Sequence, residues 1–137
     1  MDQGNTAFVL ISAALVLLMT PALAFFYGGL VKAKSVISMM MLSFGSLALV
    51  GVIWVLYGYA IAFANEGTDT FYGIDGVIGI DTAYLGLEGL LTTPDGAMFP
   101  PLAFAAFQAT FAIITVALIS GSIADRAKFG AWLVFAG

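Results

Sequence analysis

Neither cysteine nor histidine occurs in this chain of 137 residues. Their absence excludes disulfides, thiol nucleophiles, histidine general bases and Cys/His metal sites, and it leaves the redox compartment unread. Charge is almost as scarce: charged residues make up 9% of the sequence, against roughly 25% in soluble domains. What is present is apolar. The chain is 62% hydrophobic and its mean hydropathy is +1.09. A soluble domain of this size still leaves about a third of its surface in water, so it could not hide this much apolar surface. Lipid removes the difficulty, and the sequence reads as an all-α membrane protein.

The few charges are sorted. Lys32 and Lys34 occupy one short gap between apolar runs, and Arg126 and Lys128 occupy another. Asp2 stands near the N-terminus; Glu66, Asp69, Asp75, Asp81, Glu88 and Asp95 share one long segment; only Asp125 joins the cations. Cytoplasmic loops of multi-pass proteins carry the excess of Lys and Arg. The expected topology therefore has the N-terminus outside, 31–35 in the cytoplasm, 65–97 outside and 124–128 in the cytoplasm. The net charge of −4 comes from one external loop and says little more.

About 20 apolar residues cross a hydrocarbon core of roughly 30 Å. Spans are expected at about 6–30, 36–64 and 98–124, with the start of a fourth from 129 onward. Pro21 lies within the first and should kink it, because its ring removes a helical hydrogen bond to Leu17. The pair Gly28–Gly29 suits a tight exit turn. Trp54, Tyr57 and Tyr59 lie toward the outer end of the second span, where an aromatic belt is expected. Pro100 and Pro101 suit a helix start. The fourth run holds nine residues, Phe129 to Gly137, which rise about 13 Å as a helix. A chain ending there would leave backbone groups unsatisfied in lipid, so a fragment of a longer chain is expected. Phe8 to Met19 followed by Ala22-Leu23-Ala24 imitates a signal peptide, but the segment before it lacks Lys and Arg and the run continues past the supposed cut. Cleavage is not expected. The loop 65–97 is acidic and glycine-rich, with Leu85 to Leu91 as a candidate surface helix. It reads as a solvated connector, or as an acidic mouth that concentrates cations.

Few polar groups fall inside the spans. Ser and Thr hydroxyls there commonly bond back to their own helix. Gln108 is different, because the backbone cannot absorb all the donors and acceptors of a mid-helix amide; it is a candidate to line a wet cavity. Phe104, Phe107 and Phe111 form an aromatic stripe that Thr115 and Leu118 continue. Such a stripe packs against helix or lipid, or it offers phenyl faces to cations and gates a narrow pore by dewetting. No nucleophile–base pair or metal constellation exists, so an enzyme is not expected.

Three blocks resemble the ammonium transporter (Amt/Mep/Rh) family: NTAFVLISAALVLLMTPALAFFYGGLVKAKSV from Asn5 to Val36, WVLYGYAIAF from Trp54 to Phe63, and AFQATFAIITVALISGSIADRAKF from Ala106 to Phe129. The resemblance covers essentially the whole chain. It implies a bundle of about eleven helices in an inverted repeat, with an external N-terminus in the plasma membrane. It also implies a homotrimer with one pore per subunit, no cofactor, and a PII-type regulatory protein as a cytoplasmic partner. Nucleic acid is not an expected partner. In that family ammonium is recruited at an outer aromatic site, passes stacked phenylalanines and loses its proton. By motif match Phe107 and Phe111 are the substrate-binding phenylalanines, Phe111 being the gate ring. Gln108 is the amide between them, Thr115 lines the pore on the same stripe, and Tyr27 lies close to the internal water path.

The departures are large. The family's twin pore histidines are missing, and its outer tryptophan, outer serine, second gate phenylalanine and buried aspartate fall beyond Gly137 in the family pattern. The chain corresponds to the N-terminal third of one transporter domain. A sensor, in which the same fold is coupled to a signalling domain, and a nonconducting truncated remnant remain as alternatives.

Overall fold

The computed structural model describes residues 2–64, 71–74 and 78–137. Glu66, Asp69 and Asp75, part of the expected acidic mouth, lie outside them. Three helical segments are long and apolar enough to cross a membrane: Gln3–Leu30, Ala33–Ala62 and Pro101–Ile123. The first and third, at 28 and 23 residues, rise about 42 and 35 Å.

The first helix, α1 (Gln3–Leu30), starts on a side-chain cap. The Oδ1 of Asp2 accepts the N–H of Gly4 at 2.8 Å, satisfying one of the free donors of the first turn. The helix runs on through Pro21 to Leu30, so Gly28–Gly29 makes no turn. Gly28 instead permits close packing: a Cβ there would sit 3.3 Å from Cγ of Met40. With Ala13, Thr20 and Ala24 it forms the buried face of α1, and small residues on one face let membrane helices approach closely.

After a short turn with Lys32 and Lys34, α2 (Val36–Ile53) returns. It widens at Trp54–Gly58 into a π-helical turn and ends in α3 (Tyr59–Ala62). Two strands, β1 (Phe71–Ile74) and β2 (Ile78–Asp81), pair antiparallel, with Tyr72 opposite Ile80. The composition of the loop gives no sign of this hairpin. The next turn, Thr82–Leu90, is tighter than an α-helix and breaks at Leu85–Leu87, where Gly86 and Leu87 take left-handed φ near +63° and +62°; it replaces the surface helix expected at 85–91. Then α4 (Pro101–Ile119) descends, capped by Pro100, continues in a tight turn Ser120–Ile123, and leads through Asp125–Lys128 to α5 (Phe129–Ala136).

The helices α1, α2 and α4 pack on one another, and α5 packs on α2. The indole N–H of the buried Trp132 is shared between the Leu42 carbonyl and the Ser46 Oγ, both at 3.0 Å. Gly45 makes room beside it, since a Cβ there would lie 2.7 Å from Cε2 of Phe129. The hydroxyls of Ser46, Thr110, Thr115, Ser120 and Ser122 bond back to their own helix. Among the described residues the buried hydroxyls of Thr20 and Ser43 have no partner.

Large apolar side chains stand exposed on the surface. Phe8, Ile11, Leu15, Leu18 and Phe25 stand exposed along α1, a contiguous face far beyond what soluble monomers show. The two ends of the bundle differ. The Asp2 N–H bonds the Met98 carbonyl at 3.0 Å, joining the N-terminus to the approach of α4. At the other end Ser35 and Ser38 share a small cavity of about 110 Å³ with Asp125 and Ala127, so both cationic turns lie together there.

Candidate functional site

The stripe predicted on α4 divides in two. Alanines and branched residues (Ala103, Ala105, Ile113, Ile114, Ala117) with Thr110 form the buried side of the helix. Phe104 joins an aromatic cluster at the end of the bundle that holds the N-terminus: its ring meets Phe63 edge-on at 5.5 Å and stacks on Phe99 at 6.3 Å. That cluster has Tyr59, Leu90 and Ala105 at its centre, with Trp54, Tyr84 and Leu87 around them. Tyr59 is therefore packed inside protein, and Tyr57 is exposed.

Phe107 and Phe111 are placed otherwise. One helical turn apart, they pair edge to face with centroids 5.1 Å apart and an interplanar angle of 82°. No other described ring joins them, and Phe111 is 41% exposed. Thr115 and Leu118 are exposed on the same side. The Thr115 Oγ donates to the Phe111 carbonyl at 2.7 Å, so its proton is committed within α4. Gln108, one residue past Phe107, is half-buried, and its amide has no hydrogen-bond partner among the described residues. The structure thus brings Phe107, Phe111 and Thr115 onto one face, with Phe107 half-buried and Phe111 and Thr115 exposed. Gln108 lies about 100° around the helix from Phe107 but about 20° from Thr115, at the edge of the same face.

Tyr27 lies toward the cationic end. Its hydroxyl donates to the Leu118 carbonyl at 3.1 Å, tying α1 to the lower end of the stripe. Gly121 is needed there, because a Cβ would sit 2.6 Å from the Tyr27 Cζ. Tyr27, Leu30, Met39 and Ser122 line a groove of about 470 Å³ between the two helices.

Sequence reasoning misses the weight of two tryptophans. Trp54 donates its indole N–H to the Ala105 carbonyl at 3.1 Å, and Trp132 anchors α5. A signal for Trp132 is present, since a large donor-bearing ring in a short apolar run faces the small Gly45–Ser46 pair on α2. Among the described residues no group of three or more His, Cys, Asp or Glu could hold a metal ion.

The sequence pattern described as Ammonium Transporter Family matches residues 7–137. An ammonium transporter of Mycobacterium bovis is 49% identical over 145 aligned residues, covering 99% of this chain and 30% of the relative. One of Bacillus subtilis is 44% identical over 137 residues, covering 98% and 32%. Ammonium transporter Amt1 of Archaeoglobus fulgidus is 37% identical over 134 residues, covering 98% and 30%. The chain therefore spans about a third of the length of these curated relatives. The family pattern and the relatives run the length of the same apolar helices that carry the phenylalanine pair, and the chain belongs to the Ammonium Transporter Family.

Proposed function

We infer that this chain forms the outer-vestibule side of an ammonium-conducting pore in a multi-pass membrane transporter. The observation that carries the reading is the edge-to-face pair of Phe107 and Phe111, joined by no other described ring and with Phe111 exposed, while Phe104 packs into the aromatic cluster around Tyr59. A cation over a desolvated phenyl face gains about 2 kcal/mol or more, enough to draw ammonium from water to the mouth of a pore. Below that point a tight ring constriction passes a small neutral species and repels hydrated ions by dewetting. Phe107 recruits and Phe111 gates; Thr115 and Gln108 line the path beside them, and Tyr27 stands at its inner end.

The rest of the reading follows the charge pattern. The end with Lys32, Lys34, Arg126 and Lys128 faces the cytoplasm, where a PII-type regulator would dock. The N-terminus and 65–97 face outside the plasma membrane. The apolar outer face of α1 meets lipid or a neighbouring subunit of a homotrimer.

Transport tests the reading directly. A full-length transporter carrying this sequence should give saturable ammonium uptake in proteoliposomes, and uptake no greater than empty liposomes would reject it. The 137-residue chain alone contains one wall of the path, so it should show no uptake. Saturable flux through it would mean that these helices build a closed pore by themselves.

Orientation has its own test. Single cysteines at Gly4, Lys34 and Thr82 should be probed with an impermeant thiol reagent in intact cells. Positions 4 and 82 should label and 34 should not; labelling at 34 from outside inverts the topology.

A further inference from the structure

Trp54 holds the outer half of α4 from behind. It opens the wide turn Trp54–Gly58, in which the Tyr59 N–H bonds back to the Trp54 carbonyl across five residues. An extra residue in such a turn changes the rotation of the next turn of helix. Here it sets the Tyr59 ring edge-on to the indole, centroids 5.8 Å apart at 84°. Phe63 adds a second edge contact at 6.4 Å and 89°. The indole is thus clamped by rings from the end of its own helix, and its N–H is spent on the Ala105 carbonyl of α4.

Ala105 precedes Phe107 by two residues, about 200° around the helix. Trp54 therefore grips α4 on the side away from the phenylalanine pair: Ala105 is 1% exposed and Phe111 41%. α1 and the cluster around Phe104 also pack on α4, but Trp54 alone among the described residues gives this part of α4 a side-chain hydrogen bond from another helix. Ala13, Ala105, Ala106 and Ala109 line an apolar groove of about 440 Å³ beside Trp54. Side chains this short resist sliding of a helix weakly compared with one clamped, hydrogen-bonded indole.

We propose that Trp54 is a positioning residue for ammonium recognition: through the Ala105 carbonyl it sets how far the Phe107–Phe111 pair projects from α4's seat. This rests on the reading of that pair as the substrate-facing one. Without the indole bond α4 relaxes toward the groove, the pair retracts, and the recruited cation loses contact. Affinity falls while the deeper path is unchanged.

The test uses the full-length transporter in proteoliposomes. Trp54→Phe, and Trp54 replaced by β-(3-benzothienyl)alanine, should raise KM for ammonium roughly two- to tenfold, the scale of one net hydrogen bond. Maximal rate should stay within about twofold, inside the smallest effect a lost hydrogen bond would have on it. The benzothienyl residue keeps both fused rings and loses only the donor, so it decides the matter if Trp54→Phe assembles poorly. Phe107→Leu should raise KM, and adding Trp54→Phe to it should raise KM no further. Unchanged KM in the benzothienyl variant, or effects of Trp54→Phe and Phe107→Leu that multiply, overturn the proposal. If Phe107→Leu changes KM and the Trp54 variants do not, only this inference fails. If Phe107→Leu itself leaves KM unchanged, the reading of the pair fails and takes the inference with it.

Discussion

Phe111→Ala in a full-length transporter should alter transport strongly and leave assembly nearly intact. The ring is 41% exposed in this chain and touches one other ring, Phe107. An edge-to-face pair contributes about 0.5–1.5 kcal/mol beyond its burial, so little folding energy is at stake. Its worth to a passing cation, about 2 kcal/mol once desolvated, corresponds to roughly thirtyfold in affinity. Removing the ring also opens the constriction, so discrimination against water and other cations should fall. Phe104→Ala should behave oppositely. Phe104, partly buried, packs against Phe63 and Phe99, and the cost of truncating a fully buried phenylalanine, about 3–5 kcal/mol, bounds its loss from above. Size-exclusion yield and ammonium flux, measured on both variants, separate the two roles. If Phe111→Ala folds normally and conducts like the parent, Phe111 is no gate.

Trp132→Ala should cost folded protein and leave the pore chemistry of surviving molecules unchanged. Trp132 is 1% exposed and its N–H serves both Leu42 and Ser46. Truncation removes a core ring worth about 3–5 kcal/mol and the main contact that seats α5 on α2. Domains have about 5–15 kcal/mol to lose, so yield of assembled protein should drop steeply. Trp132→Phe keeps most of the ring and loses hydrogen bonds of about 0.5–1.5 kcal/mol each, so it should fall in between. Thermal unfolding in detergent, followed by size-exclusion chromatography, measures the series. Parent-like stability of Trp132→Ala would show that α5 is seated by something else.

The long helices are legible in the sequence because each is an uninterrupted apolar run. The expected 6–30, 36–64 and 98–124 differ by a few residues from Gln3–Leu30, Ala33–Ala62 and Pro101–Ile123. The Pro100–Pro101 start of α4 is legible for a local reason, since a missing N–H matters least there. Other features depend on partners distant in sequence. Gly28 reads as a turn until Met40 is seen against it. The hairpin β1–β2 lies in a loop whose glycines and acids hide its alternation. Periodicity places Phe104, Phe107 and Phe111 on one stripe, yet one helix cannot tell which part of its stripe a neighbour will cover. The cluster around Tyr59 takes in Phe104, while Phe107 and Phe111 pair outside it. For the site, the family resemblance points to Phe107 and Phe111, and packing supplies the contrast with Phe104. Trp54 escapes a sequence reading because its partner is a backbone carbonyl 51 residues away, which no side-chain pattern announces.

The central claim is that the α4 face of Phe107 and Phe111 lines the ammonium path. This chain contains no cysteine, which suits a direct accessibility measurement in a full-length transporter freed of any other cysteines. Single cysteines replace Phe104, Phe107 and Phe111, and a small cationic thiol reagent is applied from outside with and without ammonium. Positions 107 and 111 should react, and ammonium should slow them; position 104, packed among rings, should be inert. Reaction at 104 alone, or reaction at 107 and 111 that ammonium does not slow, would contradict the claim.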